Sequence, residues 1–400
     1  MSRYISAREA ADALGVAVPT IYAYVSRGLI RSEETEGSNR QHRYYAEDIE
    51  RLLTNKEAAR NPEKIAGEAL HWGTPLLESE LTLIIDDAVY YRGHNALSLA
   101  RRYAFEQVAA LLWSGSLDVD LRWDNHPATE DCMTLLAQMD DGNLHLLQSM
   151  QMVLPLAAAE DVTAYDMSPP GIVRSAVRIL RLMVAVAIGQ PPSAKPIAEA
   201  LTGVWCPRQR HAAGIINAAL ILGADHELNA SSFTARVIAG AGASPYAVVT
   251  GALSTFQGVK HGGATERAGI FLAQIDSVAS ARTQVADWLR RGETIPGFGH
   301  PIYPDDDPRA TMLLAQIAEN YGDAPALDFL DTIAGLIDRR PNIDGALAAA
   351  ALTLGLSPAQ ATTIFALGRT AGWIAHAIEQ YGGRMIRPRA RYTGPQPLDE

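Results

Sequence analysis

VIAGAGASPYAVVTGALSTF spans residues 237–256 and carries no charge. A run of that length is long enough for a helix to cross a bilayer. Its composition argues otherwise. Gly, Ala and Ser recur, and Pro245 sits inside the run. Proline ends one helix and suits the first turn of the next. The stretch therefore reads as a tightly packed interior helix pair, and that reading sets the fold class as all-α and globular rather than membrane-spanning.

Outward from this pair, helical periods recur at 98–114, 171–189, 210–223, 232–256, 264–290, 309–320, 326–338, 344–355 and 358–381. Strand signals are few, and LTLIIDDAVYY at 81–91 is the best of them. A chain of 400 residues exceeds one ordinary core and predicts two or three domains. With 48% apolar and 20% charged residues it is globular in composition. The net charge of −11 excludes a chain that coats polyanions as a whole, so any nucleic-acid contact must come from a local patch. Cys132 and Cys206 have no paired spacing, which argues against a disulfide framework or a cysteine zinc site. MSRYISAREA at the N-terminus lacks an apolar signal region, and we expect a cytoplasmic protein with no membrane contact.

The first sixty residues differ from the rest. In ISAREAADALGVAVPTIYAYVSRGLI, Ser6 and Glu9 have capping-box spacing, Gly15 turns the chain, and Pro19 suits the first turn of a second helix. Two short helices about a glycine turn make a helix-turn-helix pattern. RSEETEGSNRQHRYYAEDIERLL then reads as a polar hairpin wing and a third helix from about Ala46. Residues 1–60 hold nine Lys/Arg and nine Asp/Glu, so a DNA-binding stripe would have to come from Arg27, Arg31, Arg40 and Arg43 on one face. A protein-interaction module is the bland alternative. AARNPEKIAG at 58–67 reads as a linker.

Chemistry is concentrated where reactive side chains sit beside glycines in apolar sequence. Four such segments are ADHELNASSF (224–233), GVKHGGATERAG (258–269), GFGHPIYPDDDPRA (297–310) and PNIDGALAA (341–349). FALGRTAGWIAHAIEQ (365–380) sets Arg369 among apolar neighbours, and GRMIRPRARYTGP (383–395) adds a basic run. His261 stands at a helix start, where the dipole favours a neutral imidazole able to donate one hydrogen bond. His300, between Gly299 and Pro301, is held stiffly enough to polarise a carbonyl. Arg309, in the first turn of a helix from Pro308, can clamp a carboxylate in bidentate fashion. Asp305, Asp306 and Asp307 read as a solvated face, with one of them capping that helix. Asp344, if desolvated, can act as a general base. Taken singly, each has an ordinary structural reading as a cap, a satisfied histidine or a loop residue. A site of two His and one carboxylate on a metal is not expected, because none of them shows local ligand spacing.

Together the ordered segments resemble the citrate synthase family, from about residue 71 to 400. YYRGHNALSLARRYAFEQVAALLWSG (90–115) is similar to the family's N-terminal segment, and the RYYxxDIxxL pattern at 43–52 resembles the MerR/excisionase DNA-binding domains. The resemblance implies a mainly α fold of two helical domains, here a large one (71–263 and 356–400) and a small one (264–355), behind a winged helix-turn-helix domain (1–60) and a linker (61–70). It implies Claisen condensation of acetyl-CoA with oxaloacetate to citrate and CoA. Asp344 would be the base, His261 the enolate stabiliser and His300 the polariser of the ketone. His226, Arg309, Phe365, Arg369 and Arg387 would bind oxaloacetate, Arg387 from across a homodimer interface. No bound cofactor or metal is implied, with CoA entering as co-substrate and product. Three features depart from the common pattern: Lys260 beside His261, Pro301 after His300, and Gly345-Ala346-Leu347 after Asp344. Small residues beside the base would leave room for a longer acyl chain, as in 2-methylcitrate synthesis from propionyl-CoA. A metabolite-sensing, DNA-binding regulator on the same body is the other reading.

Overall fold

A computed structural model describes residues 4–26, 29–34, 42–46, 48–49, 52, 77–85, 87–119, 121, 123, 126, 128–139, 144–191, 195–388 and 393–394. Two units divide the chain, Met1–Glu78 and Ser79–Glu400.

In the first unit, β1 (Tyr4–Ile5) leads into α1 (Ala7–Leu14) and α2 (Val18–Ser26), followed by β2 (Ser32–Glu34) and β3 (His42–Tyr45). The expected capping box is present: Ser6 Oγ accepts from Glu9 N–H at 3.3 Å, and Glu9 Oε2 accepts from Ser6 N–H at 2.7 Å. Gly15 turns the chain at φ 62°, and Pro19 sits in the first turn of α2. β2 and β3 pair antiparallel as the wing, and β1 pairs with the other edge of β3. Ala10, Leu14, Ile21, Ile30, Tyr44 and Ile49 form the core. The wing tip, most of the helix expected from Ala46 and the linker lie outside the described residues. Of the arginines of the expected basic stripe, Arg31 is paired: its Nε and Nη2 both donate at 3.0 Å to the buried carboxylate of Asp48, and its guanidinium lies 4.6 Å over the Tyr45 ring. Its side chain stays 58% exposed.

The second unit opens with a three-stranded sheet, β4 (Thr82–Ile85), β5 (Ala88–Tyr91) and β6 (His94–Asn95), and the first two of these strands lie in the best strand signal of the sequence, 81–91. Helices follow: α3 (Ala96–Arg102), α4 (Phe105–Ser114), α5 (Thr129–Met139), α6 (Leu146–Glu160), α7 (Pro169–Ile188), α8 (Ile197–Trp205) and α9 (Ala212–Gly223). The charge-free stretch lies in the pair α10 (Ala230–Gly240) and α11 (Pro245–Phe256), which pack on each other. Ser244 caps α11 with Pro245 in its first turn, so the run breaks where the sequence predicts. Then come α12 (Gly263–Ala273), α13 (Val278–Arg290), α14 (Pro308–Tyr321), α15 (Pro325–Ile337), α16 (Ile343–Leu354) and α17 (Pro358–Tyr381). Helices α5, α6 and α8 were not among the periods read from sequence. Pro155 sits inside α6, where a proline ordinarily argues for a helix end.

Helix α17 is the axis of this unit. It packs on α4, α7, α9, α10, α11, α12 and α16, and it is buried from Ala361 to Ala377. Its glycines explain how so many helices reach it. A Cβ on Gly368 would stand 2.4 Å from Leu220 O. No helix among the described residues is long and apolar enough to cross a membrane.

Candidate active site

Two loops far apart in sequence are stitched together by their backbones. Gly299 N–H donates to Arg340 O at 2.8 Å, Asn342 N–H to Gly297 O at 3.0 Å, and Asn342 Nδ2 to Gly299 O at 2.8 Å. Gly297 and Gly299 have φ of 86° and 73°, the left-handed region open to glycine. The contact is so close that a Cβ on Gly345 would lie 2.3 Å from Gly297 O. This seam brings the segment that carries His300 against the segment that carries Asp344. Asn342 also caps α16, accepting from Asp344 N–H at 3.0 Å and Gly345 N–H at 3.2 Å. The space that Gly345 leaves is filled by the Gly297 carbonyl, and Ala346 and Leu347 are buried.

Asp344 receives a hydrogen bond from Thr265 Oγ1 of α12, the helix that begins just after His261. Asp344 is thereby tied to the helix that follows His261. Residue Asp344 keeps some exposed surface, but protein atoms crowd its carboxyl group, and burial pushes its pKa up to about 6 against the pull of Thr265 and Arg309. His261 and His300 are likewise half-buried. Burial, reinforced by Arg369 for His261 and by Arg309 for His300, lowers each imidazole to about 4. Both are neutral donors at neutral pH. The leading cause in each is desolvation.

The proton positions follow from the partners. Ile302 N–H donates to His300 Nδ1 at 3.1 Å, so the ring proton sits on Nε2. His261 Nε2 lies 2.8 Å from Ser231 Oγ, and Trp373 Nε1–H donates into that same oxygen at 2.9 Å. Ser231 also reaches Asn229 Oδ1 at 2.8 Å, so its one proton has two acceptors. When it goes to His261 Nε2, the imidazole carries its own proton on Nδ1, free to donate elsewhere.

The side chains expected to bind the substrate's carboxylates lie around this group. His226 Nε2 is 2.8 Å from Tyr303 OH, and the His226 and His300 rings meet edge-on at 5.3 Å. Arg309 is 2% exposed, 5.5 Å from the Tyr303 ring. Asp307 differs from the solvated face expected of it. It caps α14 as one of the three aspartates was predicted to do, but it is 3% exposed and takes Arg309 Nε and Nη2 at 2.9 and 2.8 Å. It also accepts from Ile343 N–H at 3.0 Å, which ties α14 to α16 next to the base. These bonds use the Nε–Nη2 side of the Arg309 guanidinium. Among the described residues Arg369 has no carboxylate partner in hydrogen-bond contact: Nε donates to Gly223 O at 2.7 Å, and its guanidinium lies 5.1 Å from the Phe365 ring. Phe365 in turn meets Phe256, whose ring lies 5.4 Å from His261. Arg387 is exposed in the C-terminal segment, and the rest of the basic run lies largely outside the described residues.

Seven of the eight residues read from sequence thus belong to one connected cluster. Missed were Thr265, Ser231, Tyr303, Trp373 and Asn342, whose residue types are common and whose partners lie far along the chain. Lys260, flagged as an added charge beside His261, is exposed. A cavity of ≈ 630 Å³ lies at α3 and α14, lined by residues such as Arg101, Asp305 and Met312, and it contains none of the cluster. Convergence of side chains, not that cavity, identifies the site.

The family model for the citrate synthase C-terminal domain matches residues 69–389, and one for a helix-turn-helix domain matches 4–57. The chain is 33% identical to citrate synthase of Haloferax volcanii over 82% of its own length and 96% of the relative's. It is 30% identical to 2-methylcitrate synthase of Mycobacterium tuberculosis over 77% and 85%. The crystal structure of citrate synthase from Thermotoga maritima superposes with a TM-score of 0.70 at 25% identity, covering 82% of this chain and 96% of that one. With its site residues joined in one cluster and most of its length matched, the chain belongs to the citrate synthase family.

Proposed function

We propose that the chain condenses acetyl-CoA with oxaloacetate, giving citrate and CoA. The observation that supports the reading is the cluster that gathers a carboxylate of raised pKa, two neutral histidines and two buried arginines. Asp344 takes a proton from the thioester methyl. That proton is far less acidic than a carboxylic acid, so the developing enolate oxygen needs a donor, and Nδ1–H of His261 provides it. His300 Nε2–H polarises the ketone and receives the alkoxide; a well-placed donor of this kind is worth about 3–4 kcal/mol. Arg309 and Arg369 hold the two carboxylates of oxaloacetate, His226 adds a polar contact and Phe365 lines the pocket. Attack of water on the resulting thioester releases CoA. The reaction is run by side chains alone, without a bound cofactor or metal, in a cytoplasmic homodimer to which Arg387 contributes across the interface. Closure of the small domain (264–355) on the large one excludes water from the enolate.

Steady-state CoA release tests this, with acetyl-CoA and propionyl-CoA each paired with oxaloacetate. We expect acetyl-CoA to give the higher kcat/KM, because the Gly297 carbonyl occupies the space beside Asp344. A preference for propionyl-CoA would make the chain a 2-methylcitrate synthase, and no release with either would overturn the reading. Ser231→Ala separates the proton arrangement from binding. It should lower kcat about tenfold or more through loss of the Nδ1–H form, with the KM for oxaloacetate little changed.

The winged helix-turn-helix fold favours a second role as a DNA-binding regulator. The balanced charge of residues 1–60 and the use of Arg31 on Asp48 predict a shallow salt slope in duplex-binding titrations. A specific duplex bound with a steep slope would establish the regulator.

A further inference from the structure

Helix α17 carries one polar stripe through the core. Arg369, Gly372, His376 and Glu379 recur at three- and four-residue spacing and so share a face. The turn Gly223–Asp225 lies along that face. A Cβ on Gly372 would stand 2.3 Å from Ala224 O and 2.6 Å from Asp225 Oδ1. Asp225 and His376 are fully buried. Arg236 Nε donates to His376 Nδ1 at 3.2 Å, so the proton of His376 sits on Nε2, which faces Asp225 Oδ1 at 3.2 Å. Thr82 Oγ1 donates to Asp225 Oδ2 at 2.5 Å. Tyr91 OH donates to the Asp225 backbone carbonyl at 3.0 Å. Beyond His376 the stripe ends in Arg236 Nη2 on Glu379 Oε2, where Ser79 Oγ also donates.

The contrast with the other arginine is informative. Asp307 takes Arg309 in a bidentate pair. Asp225 has its two oxygens on the neutral donors His376 and Thr82, while Arg369 spends only Nε, on Gly223 O. We propose that Asp225 is a counter-ion for Arg369 held off from direct pairing, and that His376 and Thr82 are positioning residues that keep the end-on edge of Arg369 open for a substrate carboxylate. The charge of Asp225 offsets that of a guanidinium buried in low dielectric, at a distance that leaves its fork unoccupied. With either donor removed, an Asp225 oxygen turns to Arg369 and competes with oxaloacetate. This inference rests on the reading of Arg369 as an oxaloacetate clamp.

The test is steady-state kinetics on the full chain, with folding followed by near-UV circular dichroism and thermal melts. His376→Leu should raise the KM for oxaloacetate about tenfold or more, while kcat and the KM for acyl-CoA stay within about threefold. His376→Gln should restore the wild-type KM, because its amide offers one donor to Asp225 and one acceptor to Arg236. Thr82→Val removes a single hydroxyl and should act in the same direction; it decides the matter if His376→Leu does not fold. Folded variants with a wild-type KM for oxaloacetate would overturn the positioning role, as would a fall in kcat with both KM values unchanged. A wild-type chain that does not turn over oxaloacetate at all would instead overturn the clamp reading on which it stands.

Discussion

Asp344→Asn is expected to abolish condensation and to leave the chain more stable at pH 8 than the wild type. The loss of activity follows from chemistry: an amide cannot accept the methyl proton, and a positioned base contributes about 10²- to 10⁴-fold. The gain in stability follows from linkage. The folded pKa of Asp344 is raised from 3.8 to about 6, so the folded state binds this proton more tightly than the unfolded chain does. Ionised Asp344 therefore destabilises the fold. That cost is absent below pH 3.8, grows as pH rises through the interval to about 6, and is fully present above it. Allowing for the part of the residue that reaches solvent, it is about 1–3 kcal/mol. Asn keeps the acceptor for Thr265 Oγ1 and sheds the charge. Thermal melts of the two proteins should differ at pH 8 and converge near pH 4. An equal difference at both pH values, or activity retained in the variant, would count against Asp344 as a desolvated base. In the wild type, kcat/KM should fall as pH drops through about 6, since His261 and His300 remain neutral to about 4.

How much of this was readable in advance depends on the range of the interaction. The caps were local and legible: Ser6 with Glu9 and an aspartate before Pro308 each act within three residues. The site residues were legible because glycine and proline framed them in apolar sequence. What stayed hidden was pairing across the chain. Nothing near Gly345 shows that Gly297 O will lie where its side chain would go, so a small residue was taken for open space. Asp305, Asp306 and Asp307 look alike in a row, yet only Asp307 is turned inward, because Arg309 and Ile343 N–H both claim its carboxylate. Helix α6 escaped because periodicity reasoning gives an internal proline more weight than the tertiary contacts around Pro155 allow.

The same Asp307–Arg309 pair supports the largest expected loss of stability, and it can be separated from substrate binding. Both side chains are buried and joined through two hydrogen bonds. Breaking such a pair by removing one partner strands the other charge, at a cost of about 3–5 kcal/mol, whereas replacing both partners together is close to neutral. Asp307→Asn keeps the helix cap, since the amide oxygen still accepts from Arg309 N–H, but it removes the countercharge. Arg309→Met keeps the volume of the side chain and strands the carboxylate. Each single variant should unfold at markedly lower urea. The double variant should lie closer to wild type than the sum of the singles by about 2 kcal/mol or more. Activity should follow a different rule. Arg309→Met and the double variant both lose the end-on edge that takes an oxaloacetate carboxylate, so both should raise the KM for oxaloacetate about a hundredfold, despite their different stabilities. Asp307→Asn retains that edge and should keep the KM closer to wild type wherever it remains folded. If the double variant is as unstable as the two singles combined, the pair is not energetically coupled. If it also binds oxaloacetate normally, Arg309 is a structural residue, and the carboxylate subsite must be built around Arg369 alone.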